Sequence, residues 1–179
     1  DGQLGNGTFT PSTAPVPVSG LDSGVKAISA GGNHSCALLN TGGIKCWGTN
    51  NNGALGQAGI TNSNVPVAVS GLDSDAVAIS AGLEHTCALL NTGGVKCWGN
   101  NYFGALGNGA NLNSSVPVPV TGLNSGVTTI SAGGGHTCAV LSAGGVKCWG
   151  ENWNGQLGNG VIQTHLNVPV PLVGLDSGV

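Results

Sequence analysis

Residues 32–48 read GNHSCALLNTGGIKCWG, and this stretch decides the fold because it returns twice with its parts at fixed offsets. The second and third copies occupy residues 83–99 and 134–150. The histidine, both cysteines and the tryptophan of each copy recur every 51 residues. Such a regular period is typical of proteins that build one structural unit several times, so the architecture follows from the unit.

Each copy predicts a tight β-hairpin closed by a disulfide. Residues 36–39 form a short apolar run, residues 44–47 alternate apolar and polar side chains, and NTGG stands between them. Folding the chain about this turn places Cys36 opposite Cys46. The Cβ atoms of such a pair lie roughly 4.5–5.5 Å apart, near the reach of a disulfide. We predict three bridges, namely Cys36–Cys46, Cys87–Cys97 and Cys138–Cys148.

Metal binding is the competing interpretation of these cysteines, with His34, His85 and His136 as further ligands. Zinc sites usually contain close CxxC pairs, whereas the two cysteines of each copy stand on either side of a hairpin turn. Reduced thiols in the core are a third interpretation. Disulfides are favoured, and because they persist in oxidising surroundings they predict a secreted or cell-surface protein.

The composition narrows the classes of partner. Charged residues are 6% of the 179-residue chain, against about 25% in ordinary domains, and the net charge is −3. A phosphate-binding surface needs clustered lysine and arginine, so nucleic acid is not expected as a partner. No apolar run approaches the roughly 20 residues of a membrane span. We therefore expect a soluble segment, and because it has neither an initiator methionine nor an apolar leader, we expect it to be mature or trimmed.

Four short strands per repeat are expected. An alternating strand at residues 25–31 precedes the hairpin, and a Pro-Val stretch such as residues 65–69 follows it as an outer edge strand, since proline cannot donate to a β ladder. Four strands in a repeat of this length predict a β-propeller blade, and the fold class is all-β with antiparallel blades. The predicted boundaries are 1–24 for the end of a preceding repeat with its outer strand, 25–75, 76–126 and 127–174 for three complete blades, and 175–179 for the start of another repeat.

A family resemblance rests on residues 34–56, HSCALLNTGGIKCWGTNNNGALG, and on their counterparts at 85–107 and 136–158. The strand order, the Gly-Gly turn, the Trp-Gly step and the Gly-x-Leu-Gly loop together resemble the repeat of the regulator of chromosome condensation family. This resemblance implies a seven-bladed ring used mainly as a binding platform. The paired cysteines and the low basic charge resemble secreted bacterial relatives, including an inhibitor that caps β-lactamases, more than the nuclear exchange factor that founded the family.

No catalytic residue, metal site or cofactor is predicted. The repeated histidines fit a ring of ligands or bases less well than a structural role in which each imidazole hydrogen-bonds a loop backbone of its own blade. A catalytic site usually breaks the symmetry of a repeat. Glu84 and Glu151, the only glutamates, lie at non-equivalent repeat positions, so no paired-carboxylate site is predicted.

Differences between the repeats point to a binding surface. One variable place spans residues 49–52, 100–103 and 151–154, and it contains the candidate binding residues Asn51, Tyr102, Phe103 and Trp153. The other variable place is the loop before each Pro-Val strand, at residues 8–13, 60–64, 110–115 and 161–167. Aromatic side chains on blade loops are good anchors for protein or sugar surfaces. The alternative is that they only fill the gap between blades.

Three asparagines match the N-glycosylation pattern, namely Asn6, Asn33 and Asn113, and Asn113 is preferred because its loop is expected to be exposed. The sequence thus favours an extracellular, non-enzymatic propeller that binds a protein partner through its blade loops. The alternative is a structural subunit of an extracellular fibre or coat, built from copies of itself. An enzyme on a propeller scaffold is the least favoured hypothesis.

Overall fold

Strands, turns and irregular loops make up the chain, without helices, and the computed structural model describes all of residues 1–179. The many short strands follow from the alternating apolar pattern and from glycine-rich turns that break the chain every few residues. No helix that could span a membrane is present. The twelve strands are β1 Val25–Ala30, β2 His34–Leu39, β3 Ile44–Gly48, β4 Ser63–Ala68, β5 Ala76–Ala81, β6 His85–Leu90, β7 Val95–Gly99, β8 Ser114–Pro119, β9 Val127–Ala132, β10 His136–Leu141, β11 Val146–Glu151 and β12 His165–Pro171.

The strands form three antiparallel sheets of four, in the orders β1-β2-β3-β4, β5-β6-β7-β8 and β9-β10-β11-β12, which we call the first, second and third blades. The predicted hairpin register is confirmed, because Cys36 pairs with Cys46 and Leu38 pairs with Ile44. All three predicted disulfides are present, and no cysteine is free. The Pro-Val strands β4, β8 and β12 lie at the edge of each sheet, as expected.

The hydrophobic core lies between blades. One cluster joins Leu38, Ile44 and Leu55 of the first blade to Trp98 of the second, and an equivalent cluster joins the second blade to Trp149 of the third. Trp98 is fully buried, and its roughly 200 Å² of surface corresponds to an upper bound of about 5 kcal/mol of hydrophobic stabilisation. A four-stranded blade therefore depends on the next blade to cover its face.

A loop from each repeat fastens the following blade. The Trp98 indole N–H donates to the Ala54 carbonyl at 2.9 Å, and Gly56 stands so close to this ring that an added Cβ would lie 2.9 Å from its Nε1. Gly56 also has a φ of +68°, which side chains of L-residues rarely adopt. These two constraints explain the second glycine of the Gly-x-Leu-Gly pattern. Residues 1–7 place the same loop on the first blade, where Trp47 donates to the Gln3 carbonyl at 2.7 Å.

The predicted leading strand does not form. Residues 14–18 have the Pro-Val pattern of an outer strand, but the structure assigns no strand before β1. Every other Pro-Val stretch pairs with the third strand of its own blade, and residues 14–18 have no such strand beside them. An edge strand exists only through its ladder partner, so the pattern alone does not produce one.

Candidate functional site

A buried asparagine shapes the loop that follows the third strand of each blade. The Asn101 side-chain oxygen accepts from the Leu106 amide at 2.9 Å, and its Nδ2 donates to the Ala110 carbonyl at 2.8 Å. Asn50 and Asn152 hold their own loops through the same kinds of bond. The residue after each asparagine points into solvent. The scaffold is therefore constant, and the exposed residue that it presents differs from blade to blade.

Three of the predicted binding residues gather on this scaffold. Tyr102 is 70% exposed and Trp153 is 55% exposed, while Phe103 is half-buried between them. The Phe103 ring centroid lies 4.9 Å from that of Tyr102 and 6.0 Å from that of Trp153, both in edge-to-face arrangements. Only Phe103 fits the gap-filling alternative. We call Tyr102, Phe103 and Trp153, together with His165, the aromatic cluster.

The second variable place contributes to the same surface. His165 begins β12, and its ring centroid lies 6.3 Å from that of Phe103. Its Nε2 is 2.7 Å from Nδ2 of Asn111, which belongs to the loop before β8. The aromatic cluster lines a cavity of about 420 Å³, completed by Asn111 and Thr164. Both variable places of the sequence thus converge at the junction of the second and third blades.

An acidic cleft adjoins the aromatic cluster. It has a volume of about 250 Å³, and Tyr102 and Phe103 form part of its wall. Both glutamates of the chain, Glu84 and Glu151, line it. The sequence alone predicted no paired-carboxylate site, because the two glutamates lie at non-equivalent repeat positions, but the structure brings both of them to one cleft. The reason is the hairpin register: Gly99 pairs with His85 and Gly150 with His136, so Glu84 and Glu151 flank equivalent pairs in neighbouring blades.

Two of the three repeated histidines, His34 and His85, form structural hydrogen bonds, but their partners differ from the prediction. His34 Nε2 lies 2.7 Å from the Thr86 hydroxyl, and His85 Nε2 lies 2.9 Å from the Thr137 hydroxyl, so each ring bonds the following blade and not a loop of its own blade. The Thr137 hydroxyl donates its one hydrogen to the Ala105 carbonyl at 3.2 Å. His85 Nε2 must therefore carry the proton that it donates.

Burial keeps both of these rings uncharged near neutral pH. Burial lowers the pKa of His34 from 6.5 to about 4, because a charged imidazolium loses its hydration there. Burial also lowers the pKa of His85 to about 4, with smaller contributions from repulsion by His34 and His136. Nε2 of His85 carries the proton and donates it to Thr137, so Nδ1 is the basic nitrogen of this ring, and the lowered pKa makes it a weak base.

The remaining predicted residues lie apart from the aromatic cluster. Asn51 is exposed on the equivalent loop of the first blade, where no aromatic residue accompanies it. Among the glycosylation candidates, Asn33 is exposed, and the Asn6 oxygen accepts from the Thr8 amide at 3.1 Å. The exposed Asn113 donates to Asn52 at 3.0 Å through the nitrogen that a sugar would modify. Glycosylation remains a prediction for all three asparagines.

Sequence reasoning missed Glu84, Glu151 and His165 as members of this surface. A usable signal existed for the glutamates, because Glu84 replaces the Asn33 and Gly135 of the other repeats. Glu151 likewise replaces a threonine and an asparagine. No group of three or more His, Cys, Asp or Glu side chains is arranged to hold a metal ion.

Comparison with known proteins identifies the repeat. A sequence model described as the regulator of chromosome condensation (RCC1) repeat matches residues 1–38, 42–89 and 92–140, and a second model of this repeat matches residues 25–54, 76–105 and 127–156.

Similar full-length proteins are longer than this chain. The ultraviolet-B receptor UVR8 of Arabidopsis thaliana is 32% identical over 168 residues, which cover 92% of this chain and 38% of the receptor. The mitochondrial RCC1 domain-containing protein RUG3 of the same plant is 32% identical over 183 residues, covering 97% of this chain and 41% of that protein. The chain thus spans about two fifths of the length of these relatives.

Solved structures share the fold. Yeast RCC1 (Prp20), in a crystal structure with Kap60, matches with a TM-score of 0.82 and 22% identity, covering 96% of this chain and 43% of the yeast chain. Human WBSCR16 matches with a TM-score of 0.79 and 22% identity, covering 90% of this chain and 41% of the human chain. At these identities the likeness concerns the fold alone, and it agrees with the three blades described above.

Proposed function

The chain belongs to the regulator of chromosome condensation (RCC1) repeat family, and we propose that its blades form part of a β-propeller that binds a protein partner through the aromatic cluster. Propellers of this family are commonly protein-binding or regulatory. The observation that carries the proposal is the exposure of Tyr102 and Trp153 on a rigid loop scaffold at one blade junction. Exposed aromatic residues are enriched among the side chains that dominate binding energies at protein interfaces.

The proposal includes no enzymatic activity. The one histidine that lines the acidic cleft, His85, is a weak base because burial lowers its pKa to about 4, and no serine, cysteine or threonine lines the cleft beside it. The proposal therefore rests on binding, because covalent catalysis needs a nucleophile paired with a base and this cleft is not lined by such a pair.

An extracellular setting is the second part of the proposal. Three disulfides and no free cysteine support it, since cytosolic reductants keep most thiols reduced. Thiol alkylation and mass spectrometry on the protein from its native source would test this part. Labelled cysteines at the six positions would contradict it. The fibre-subunit alternative remains a prediction, and electron micrographs showing open-ended polymers and not closed rings would favour it.

The binding proposal is tested with Trp153→Asn, because Asn51 occupies the equivalent loop position and shows that this scaffold accommodates asparagine. A library of random twelve-residue peptides is selected against the unmodified protein. We expect most selected peptides to lose at least tenfold in affinity for Trp153→Asn, the usual cost of removing an aromatic anchor. Phe9→Asn is the control, because Phe9 is 59% exposed and lies outside the aromatic cluster.

Two outcomes would contradict the proposal. Selected peptides would bind Trp153→Asn as tightly as the unmodified protein, or they would lose affinity equally for Phe9→Asn. Either result would place the binding surface elsewhere or show that the exposed aromatic residues act non-specifically. Circular dichroism melting curves of both variants check that the fold is retained.

A further inference from the structure

We infer that the acidic cleft binds the guanidinium group of an arginine side chain presented by the protein partner. This inference rests on the proposed function, because the cleft adjoins the aromatic cluster and shares Tyr102 and Phe103 with it. It adds the chemistry of the residue that the partner inserts.

Two carboxylates in the cleft lack a cationic partner. Glu84 Oε2 accepts from Nδ2 of Asn52 at 3.0 Å and from Nδ2 of Asn100 at 2.9 Å, and both of these donors are neutral amides. His85 adds no positive charge, because burial keeps its ring neutral. Lys147 lies on the same strand as Glu151, but four residues away, which is about 13 Å at the usual rise of a strand.

The position of the Glu151 carboxylate depends on a glycine. Its Oε2 lies so close to Gly135 that an added Cβ at that residue would come within 2.5 Å of the oxygen. Gly135 stands at the repeat position that Glu84 occupies in the second blade. In each blade the carboxylate belongs to the same cross-strand pair, but the second blade carries it on one strand of the pair and the third blade carries it on the other. Both carboxylates reach one cleft. This departure from the repeat adds negative charge to the cleft, and the structural bonds of the repeated histidines and tryptophans do not require that charge.

The shape of the cleft favours arginine over other cations. Its volume of about 250 Å³ is below the usual range for drug-sized ligands, roughly 300–1,000 Å³, and suits a single side chain. A guanidinium is planar, stacks on aromatic rings such as Tyr102 and Phe103, and has five N–H donors in a fixed fork for carboxylates. A lysine ammonium is a compact point charge that stacks less well.

The test uses three peptides and two variants. The peptides are N-acetyl-Gly-Arg-Gly amide, its citrulline analogue, which keeps the shape but not the charge, and its lysine analogue. Binding is followed by the backbone amide resonances of Gly134 and Gly135 in the ¹⁵N-labelled protein, since both residues line the cleft. We expect the arginine peptide to shift these resonances and to bind at least tenfold more tightly than the citrulline peptide.

Glu151→Gln is the informative variant, because Glu84 also positions two asparagines and its loss would disturb them. We expect Glu151→Gln to weaken binding of the arginine peptide about five- to tenfold. Asp22→Asn removes one negative charge from an exposed turn outside the cleft, and it should change the affinity less than twofold. Equal affinities of the arginine peptide for Glu151→Gln and Asp22→Asn would overturn the inference.

Two further outcomes would also overturn it. If the citrulline peptide binds as tightly as the arginine peptide, charge plays no part in recognition. If the lysine peptide binds as tightly, the planar shape of the guanidinium plays no part in recognition. These results are separate from a failure of the proposed function. If library peptides depend on Trp153 but show no arginine preference, the binding proposal stands and the arginine inference falls. If no selected peptide depends on Trp153, the binding proposal itself fails.

Discussion

Replacing Thr137 by valine should measure how strongly one blade is locked to the next. The Thr137 side chain is fully buried, and valine has nearly its shape without the hydroxyl. The hydroxyl accepts from His85 Nε2 at 2.9 Å and donates to the Ala105 carbonyl at 3.2 Å. The substitution therefore removes two hydrogen bonds between the second and third blades while it creates almost no cavity.

The expected loss of stability in Thr137→Val depends on which buried polar groups lose their hydrogen-bond partners. The Ala105 carbonyl keeps the Trp149 indole N–H at 2.8 Å, so it remains satisfied. His85 is only 1% exposed, so water does not replace the lost acceptor of its Nε2–H. One orphaned buried donor costs about 1–3 kcal/mol, and we expect a loss of about 2 kcal/mol in the free energy of unfolding. For a chain of this size, this loss corresponds to a decrease of roughly 4–8 °C in Tm.

The assay is urea unfolding followed by circular dichroism, with Thr129→Val as the matched control. Thr129 is an exposed residue of β9 in the same third blade. Its replacement by valine should change the free energy of unfolding by less than about 0.5 kcal/mol. If Thr137→Val is no more destabilising than Thr129→Val, the assignment of the His85–Thr137 pair as a structural lock between blades is refuted.

Two further predictions concern the buried histidines and a glycine that packs against His85. The pKa of His34 and of His85 is about 4 in the folded protein and 6.5 in the unfolded chain, so the unfolded chain binds protons first as the pH falls. The free energy of unfolding should therefore decrease by about 3 kcal/mol per ring as the pH drops from about 6.5 toward 4. Urea unfolding at pH 7.5 and 4.5 measures this loss, and an equal loss in His34→Gln would contradict it. Gly82→Ala should cost about 2–3 kcal/mol, because its Cβ would lie 2.5 Å from the Gly133 carbonyl oxygen, whereas Gly134→Ala has open space. Equal denaturation midpoints of these two alanine variants would contradict that reasoning.

Sequence reasoning succeeded where the interaction partners are close along the chain. Cys36 and Cys46 stand on either side of one turn, so the turn fixes their register, and the bridge could be predicted from spacing. The bond from His34 to Thr86 joins residues 52 positions apart. The repeat shows that every unit contains a histidine, but it does not show which unit supplies the partner. Contacts within a unit are therefore predictable, and contacts between units are not.

The acidic cleft was missed for a related reason. Position by position along the repeat, Glu84 and Glu151 are unrelated. In an antiparallel hairpin, however, the residue before one strand and the residue after its neighbour lie side by side. The register of β6 with β7 and of β10 with β11 makes the two positions members of one cross-strand pair. Comparing the repeats in pairs of facing positions would have placed both carboxylates at the same end of the blades.

The constant and variable parts of the repeat separate stability from binding. Asn50, Asn101 and Asn152 are all buried and hold their loops by equivalent bonds, whether the next residue is Asn51, Tyr102 or Trp153. The first blade shows that this loop closes around an exposed asparagine, so the fold does not require an aromatic side chain there. Tyr102 and Trp153 remain largely in water, so they contribute little hydrophobic stabilisation to the fold. Their exposure beside two carboxylates that lack a cationic partner is the observation on which the proposed partner rests, because folding stability alone does not account for it.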